Sequence, residues 1–489
     1  MGKRKKDKSV FKIKNFQPND FVTSSSIMIE CKDGTKVLCD LGMAQDGKKT
    51  VEQIYKINKE KYQIPFDELD AIVISHLHND HVGMCPIVAQ PKVGFRGSII
   101  ATELTAEMAT HILYDGQRIH ESEIQKLKYS KGIKLEPLFT KEDVDDLVKN
   151  IRGYGYFDKI KISQNLTLEL LPASHIAGAS QSLFTYDDGE VRETLLYTGD
   201  IYFGTDEKPF TKSIIDKTLK VNHLIIESTY GLQERDKVSG DPLEYLEKVI
   251  LDYVVGKNKT LWIPVFAMGR STALYYYMNE LLKKNEVIRE ANIPIYFAGQ
   301  LMHNGHTTIG KDKYTCFYDE KWNTKEVREI FNMNRFTFLT QRKDVEHFCY
   351  NNTRKIVFSS SGMADKGYSA LLADSYVSNG KVVMCSCGYM ADGSLGRAIR
   401  ENEQYVNVNG QRKKVRLEYL GVIPSIGGHA SYEGLIAYIK HLNQNTLKNI
   451  VLVHGTTEAK ESFKNGIEEN TKNKNIFIIK QNETIKLYK

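Results

Sequence analysis

The alternation of apolar and polar positions is strand-like at the start of the 489-residue chain. Short apolar runs at 24–30, 36–41 and 71–75 are broken by Gly34 and by a loop between Gly42 and Gly47, which predicts three strands. The run Ala71-Ile72-Val73-Ile74 has no polar interruption, as in a strand buried on both faces. From 102 to 130 the spacing turns helical, with Thr102 as N-cap and Thr105 as a second candidate. Another helix is predicted from Thr140 through Lys149, acidic in its first turn. Strands resume at 166–171, 195–197 and 224–226.

Beyond residue 232 the texture changes. A helical stretch at 242–254 precedes a buried strand at 260–266, and Met268-Gly269-Arg270-Ser271 opens a helix running to Lys284. Runs at 293–297, 336–339, 355–359 and 381–387 are further strands alternating with helices. That alternation predicts a mostly parallel sheet in a separate α/β unit over 232–398. A strand at 450–453 then returns to the first pattern.

Length adds that one ordinary core is not enough and that two or three domains are expected. The division read here is a basic, flexible tail over 1–20, a first domain over 21–231, the unit at 232–398, and 399–489 completing the first domain. Hydrophobic content of 41% and charged content of 26% are those of a globular protein. No apolar run approaches the roughly 18 residues of a membrane span, so no membrane partner is expected. The opening MGKRKKDKSV is basic without an apolar core and is not a secretory signal. Seven scattered cysteines without a Cys-x-x-Cys pair predict reduced thiols and a cytoplasmic location. Cys385 and Cys387 lie in an apolar run and read as buried small residues.

A net charge of +6 is compatible with a polyanionic partner. Residues 3–14 hold seven basic side chains against one Asp, either a solubilising tail or an electrostatic contact with nucleic acid.

The chemistry concentrates after the strand at 71–75. Ser75-His76-Leu77-His78-Asn79-Asp80-His81 places three histidines and an aspartate within six positions, out of 13 histidines in the chain. Neutral imidazoles with a carboxylate are the donor set that a borderline divalent ion such as zinc prefers. Asp40 ends a neighbouring apolar strand, where a carboxylate needs a partner: either nearby backbone N–H groups or a ligating histidine that it orients. His175 in Ala173-Ser174-His175-Ile176-Ala177-Gly178 and Asp200 in Tyr197-Thr198-Gly199-Asp200 also follow strands. So do Glu227 in Glu227-Ser228-Thr229-Tyr230 and His454 after 450–453, while His429 lies in Gly427-Gly428-His429-Ala430. Each alone is ordinary; their repetition at strand ends is not.

In this order, Asp40, His76-x-His78-x-Asp80-His81, His175 and Asp200 resemble the metal-ligand motifs of the metallo-β-lactamase superfamily. Glu227, His429 and His454 resemble the three additional motifs of its β-CASP branch, whose members act on nucleic acids. Supporting matches are 263–270, Ser360-Ser361-Gly362-Met363, and Gly388-Tyr389 with Gly393-Ser394-Leu395.

The resemblance implies an α/β fold, the metallo-β-lactamase αββα sandwich with an inserted β-CASP domain. It implies two zinc ions per chain, with manganese as the alternative: one on His76, His78 and His175, the other on Asp80, His81 and His454, with Asp200 shared. It further implies a metal-dependent ribonuclease that hydrolyses phosphodiester bonds with a hydroxide activated by the two ions, in RNA processing or decay. Asp80 and Asp40 serve the site, His429 is the implied general acid and Glu227 holds its ring. Ser360, Ser361, Gly362 and Arg270 are candidates for contacting substrate phosphates. RNA, single-stranded, is favoured because a histidine at the position of His454 accompanies the RNA-directed members. The competing readings are a DNA nuclease of the same fold, an RNA-binding partner subunit with little activity, and a small-molecule hydrolase of the lactamase or glyoxalase kind, against which the 232–398 unit and the set Glu227, His429 and His454 argue. A homodimer, and endo- against exonucleolytic cleavage, are left open.

Overall fold

Alternating side chains from two seven-stranded sheets make one core. The computed structural model describes residues 9–204, 209–214, 219–232, 240–332, 336–349, 353–388, 390–472 and 475–488. The basic side chains at 3–8 and Tyr389 lie outside the described residues. The first sheet runs, edge to edge, Thr484–Leu487, Phe11–Asn15, Ile27–Cys31, Lys36–Cys39, Ala71–Val73, Ser98–Thr102 and Ile151–Tyr154. The second runs Ile476–Ile478, Asn449–Val453, His223–Glu227, Arg192–Tyr197, Ser180–Asp187, Leu166–Pro172 and Lys159–Lys161. Ile13, Ile29, Val37 and Val73 from the first share a cluster with Leu168, Phe184, Leu195, Ile225 and Val451 from the second.

Compact units fall at Met1–Thr205, Lys212–Arg235 and His429–Lys489 for this first body, and at Asp206–Thr211 and Asp236–Gly428 for a second. The second holds six parallel strands in the order Thr337–Leu339, Ile295–Ala298, Ile356–Ser359, Thr260–Pro264, Val382–Ser386 and Glu418–Val422. Its inner strands are mainly apolar because both faces are covered. Leu261, Ile263, Phe297 and Phe358 feed one core, while Trp262, Val357, Val382 and Met384 feed the other. The sixth strand, Glu418–Val422, was not read from the sequence, where its Gly421 and partial exposure break the apolar pattern.

The helix predictions hold with their caps. Glu103–Lys131 is capped by the Thr102 side chain, which accepts from Thr105 N, and Gly132 ends it in the left-handed region. Thr140 and Asp143 form a reciprocal capping box at the start of Lys141–Asn150. Among the described residues no helix is long and apolar enough to cross a membrane. None of the seven cysteines forms a disulfide, and six are buried.

One buried lysine ties the entry of the first sheet to the loop beside it. Lys61 Nζ donates to Phe16 O at 3.1 Å, Ser24 O at 3.0 Å and Ser26 Oγ at 2.8 Å, so its three protons find three acceptors. Burial pushes its pKa down to about 7. Lys61→Met removes three donors from buried acceptors and is expected to cost about 3 kcal/mol, at roughly 1 kcal/mol or more per orphaned group. Urea denaturation of the variant beside wild type checks this; an unchanged midpoint would show that the loop is held by other contacts.

Candidate metal centre

Topology brings the singled-out residues of the first unit together. Lys36–Cys39 and Ala71–Val73 run parallel, so Asp40 and the 75–81 loop leave the first sheet at the same end. In the second sheet Arg192–Tyr197, His223–Glu227 and Asn449–Val453 run parallel, and Leu166–Pro172 is related to them through one antiparallel neighbour. His175, Asp200, Glu227 and His454 therefore all emerge at, or just beyond, carboxyl ends of that sheet.

Two groups of donors result. Single ligand atoms of His76, His78, His175 and Asp200 lie within 4.8 Å of one another, and so do those of Asp80, His81 and His454. A third such group is Asp200, Glu227 and His429, so Asp200 belongs to two. His78 Nδ1 is 3.0 Å from both His76 Nε2 and His175 Nε2, and His81 Nε2 is 3.1 Å from His454 Nε2. Asp200 Oδ2 lies 3.5 Å from His76 Nε2 and 3.3 Å from His81 Nε2, between the two groups.

The hydrogen bonds behind these atoms set the tautomers. Asp40 has no exposed surface; its Oδ1 accepts from Ser75 N at 2.7 Å. Its Oδ2 accepts from Ser75 Oγ at 2.8 Å, Tyr197 OH at 2.7 Å and His81 Nδ1 at 2.7 Å. With its one proton given to Asp40, Ser75 Oγ accepts from His76 Nδ1 at 3.1 Å. Thr229 Oγ1 donates to His454 O and in turn accepts from His454 Nδ1 at 3.0 Å. In all three rings the outer nitrogen carries the proton and Nε2 turns a lone pair inward.

Charge divides these histidines. Burial and the neighbouring histidines hold His76 well below the usual imidazole range, and burial takes His78 down to about 4. Burial acts against protonated His81 too, but the Asp200, Asp40 and Asp80 carboxylates outweigh it and push its pKa up. Burial would raise Asp80, yet the His81 and His454 rings bring it down to about 2. Asp200 also lies well below the carboxylate range, burial being outweighed by His454, His81 and His429. Two carboxylates are thus held ionised beside two histidines held neutral.

The donors also fit a metal. Asp200 Oδ1 is buried without a hydrogen-bond partner among the described residues. Tetrahedral zinc with nitrogen ligands at roughly 2.0–2.1 Å separates them by about 3.3 Å, close to the spacings here. The histidine and aspartate clusters suit a dinuclear metal site.

Beside them, His429 Nδ1 donates to Glu227 Oε2 at 2.9 Å, and its Nε2 lies 3.8 Å from Asp200 Oδ2. Glu227 Oε1 accepts from Ile201 N at 2.7 Å, which fixes the carboxylate. The Tyr230 ring meets His429 edge-on at 5.7 Å. Ser75, Tyr197, Thr229 and Tyr230 were assigned no role from the sequence. Ser75 and Thr229 lie inside the motifs that carry the ligands, which is the signal they offered, whereas Tyr197 is an ordinary strand residue.

The remaining candidates belong to the second unit. Arg270 starts the helix Arg270–Lys284, with its guanidinium 4.9 Å from the centre of the Phe266 ring. Ser360, Ser361 and Gly362 follow Ile356–Ser359, and Gly362 packs on the same Phe266. These four residues are thus brought to the carboxyl ends of two adjacent strands.

Family models match three stretches. Residues 272–399 match the Beta-Casp domain, 413–479 the Zn-dependent metallo-hydrolase RNA specificity domain, and 11–223 the Anti-Pycsar protein Apyc1. The chain belongs to the β-CASP branch of the metallo-β-lactamase superfamily. Its fold is the metallo-β-lactamase fold with an inserted β-CASP domain. It is 27% identical over 407 residues to Integrator complex subunit 11 of Gallus gallus, covering 82% of this chain and 62% of that one. An RNase J-like protein of Methanocaldococcus jannaschii is 26% identical over 445 residues, covering 90% of this chain and 91% of that one. Cleavage and polyadenylation specificity factor 73 of Drosophila melanogaster is 25% identical over 454 residues, covering 92% and 60%. The chain thus spans about three fifths of the Integrator and cleavage-factor relatives. A solved structure, a protein of unknown function from Enterococcus faecalis V583, shares the fold with a TM-score of 0.55 at 12% identity. It covers 98% of this chain and 100% of that one.

Gly42 shows how tightly the 78–82 turn is seated. A methyl on it would stand 1.7 Å from Asp80 O and 2.8 Å from Ser25 N, both backbone atoms. Gly42→Ala is therefore expected to displace the turn carrying Asp80 and His81 and to lower bound metal per chain, measured by plasma mass spectrometry. Full metal occupancy in a folded variant would show that the turn can move while the site survives.

Proposed function

We propose that this chain is a metal-dependent ribonuclease that hydrolyses RNA phosphodiester bonds in RNA processing or decay. The observation that carries this reading is the inward convergence of His76, His78, His175, Asp80, His81 and His454 around the shared carboxylate of Asp200. RNA as the substrate is supported by the match of 413–479 to an RNA specificity domain and by relatives named as an RNase J-like protein and a cleavage and polyadenylation factor. It is supported too by the presence of His454.

His76, His78 and His175 would hold one ion, and Asp80, His81 and His454 a second, with Asp200 between them. The histidine-rich donors favour zinc over manganese. When bound, such a pair of ions makes a nucleophile of water near neutral pH and neutralises charge on the reacting phosphate. Asp40 keeps the His81 ring in place through Nδ1. His429 is assigned as the general acid: Glu227 engages Nδ1, which leaves Nε2 to carry a proton to the departing sugar oxygen. Arg270, Ser360, Ser361 and Gly362 are assigned to substrate phosphates, as one cation, two hydroxyls and a backbone donor.

The deciding experiment uses RNA labelled at its 5′ end beside a matched DNA, with protein of assayed metal content, with and without chelator. Chelator-sensitive cleavage of the RNA, with the DNA cut more slowly, is expected. Internal fragments would define an endonuclease and released mononucleotides an exonuclease. Absence of cleavage by fully metallated protein would overturn the reading.

Two variants separate the roles. His78→Ala is expected to lose bound metal and activity together. His429→Ala is expected to keep its metal while cleavage slows by about 10²–10⁴-fold, the range for a general acid. Metal loss in the second variant would instead make His429 a ligand.

A further inference from the structure

Between the two matched stretches 272–399 and 413–479 lies a hairpin that neither covers in full. Tyr405–Val408 pairs antiparallel with Gln411–Lys414, in the register Tyr405↔Lys414, Val406↔Lys413, Asn407↔Arg412 and Val408↔Gln411. Asn409 and Gly410, both at positive φ, make the two-residue turn, a sequence suited to tight hairpins. Its inner face is fixed. Val406 and Val408 are buried in the core beside Leu372 and Tyr376, and Lys413 Nζ donates to Asp374 O at 2.6 Å and Oδ1 at 2.7 Å.

The outer face has different chemistry. Tyr405 is 44% exposed, and the Arg412 guanidinium lies 4.5 Å from the centre of its ring. Lys414 stands directly across from Tyr405, and Arg416 continues the alternation, also exposed. Along an extended strand, alternate residues are roughly 6.6–6.8 Å apart, so Arg412 and Lys414 stand at that interval, and Arg416 follows two residues beyond the strand's end. Among the described residues no carboxylate pairs with Arg412, Lys414 or Arg416. The nearest acid along the partner strand is Glu403, exposed two residues before Tyr405.

We propose that the outer face of this hairpin is an accessory binding surface for single-stranded RNA, with Arg412, Lys414 and Arg416 on consecutive phosphates and Tyr405 stacking on a base. It rests on the ribonuclease reading above. A planar aromatic beside a row of cations is the combination that holds single strands without reading their sequence. The stacked guanidinium holds the ring in place and offers a second flat surface. A hairpin anchored by Val406, Val408 and Lys413 presents these groups already ordered, so little conformational freedom is given up on binding. A protein partner would have to match three cations around one tyrosine with carboxylates of its own, whereas a phosphate backbone supplies the charge at regular intervals.

The test is fluorescence anisotropy of a labelled oligouridine with the full, metal-loaded chain across a salt series, read before measurable cleavage. The variant Arg412→Ala/Lys414→Ala/Arg416→Ala is expected to reduce the log–log salt slope by about 2, at roughly 0.7 for each phosphate no longer neutralised. Tyr405→Ala is expected to weaken binding about tenfold with the slope unchanged, and Tyr405→Phe to restore it. All three variants leave the inner face intact, so their hydrolysis of bis(p-nitrophenyl) phosphate should equal that of wild type.

If wild type binds and cleaves RNA while the triple variant keeps its affinity and salt slope, the hairpin proposal falls and the nuclease reading stands. If wild type neither binds nor cleaves RNA, both fall. Disappearance of a protein association in the triple variant, with RNA binding unchanged, would make the hairpin a protein-docking surface and overturn the proposal.

Discussion

A carboxylate with no exposed surface organises the first unit. Removing an ion from water costs several kcal/mol unless other groups replace its hydration. Asp40 recovers that hydration from Ser75 N, Ser75 Oγ, Tyr197 OH and His81 Nδ1. Tyr197 comes from the opposite sheet, so one anion joins the two sheets as well as two loops. Through Ser75 it also sets the proton of His76, which means that a single interaction decides which lone pairs face the interior. The same bonds that stabilise the buried charge therefore create the metal-binding chemistry.

This dependence explains where the sequence could be read and where it could not. Its apolar runs located the strands but overran them at functional ends: 36–41 became Lys36–Cys39, and 71–75 became Ala71–Val73. Asp40 leaves the ladder at φ 61, and Ser75 N turns to its carboxylate. Hydrophobicity continues past those points; strand pairing does not. The histidines and aspartates were visible because their residue types are rare and their spacing is tight. Tyr197 was invisible because a buried tyrosine on a strand carries the same local pattern whether or not its hydroxyl serves an ion.

The second unit shows the opposite balance. Its inner parallel strands are read easily because both faces demand apolar side chains, while Glu418–Val422, half-exposed and interrupted by Gly421, gives no comparable run. The hairpin at 405–414 was missed for a related reason. Only two apolar residues, Val406 and Val408, point inward, too few to register as a period, although Asn409-Gly410 marks the turn. Local turn chemistry carried information that hydrophobic patterning did not.

The pairing of Phe11–Asn15 with Thr484–Leu487 has a temporal consequence. A ribosome emits the first strand of this sheet more than four hundred residues before the partner it lies against. His454 and the strand beneath it likewise arrive only after the whole inserted unit has been made. During synthesis the early strands must wait with an edge unpaired, while the second unit has all of its own strands and is free to close. The last ligand is therefore also the last to be translated, so a nascent chain cannot assemble its complete set of donors until the strand before His454 has been made.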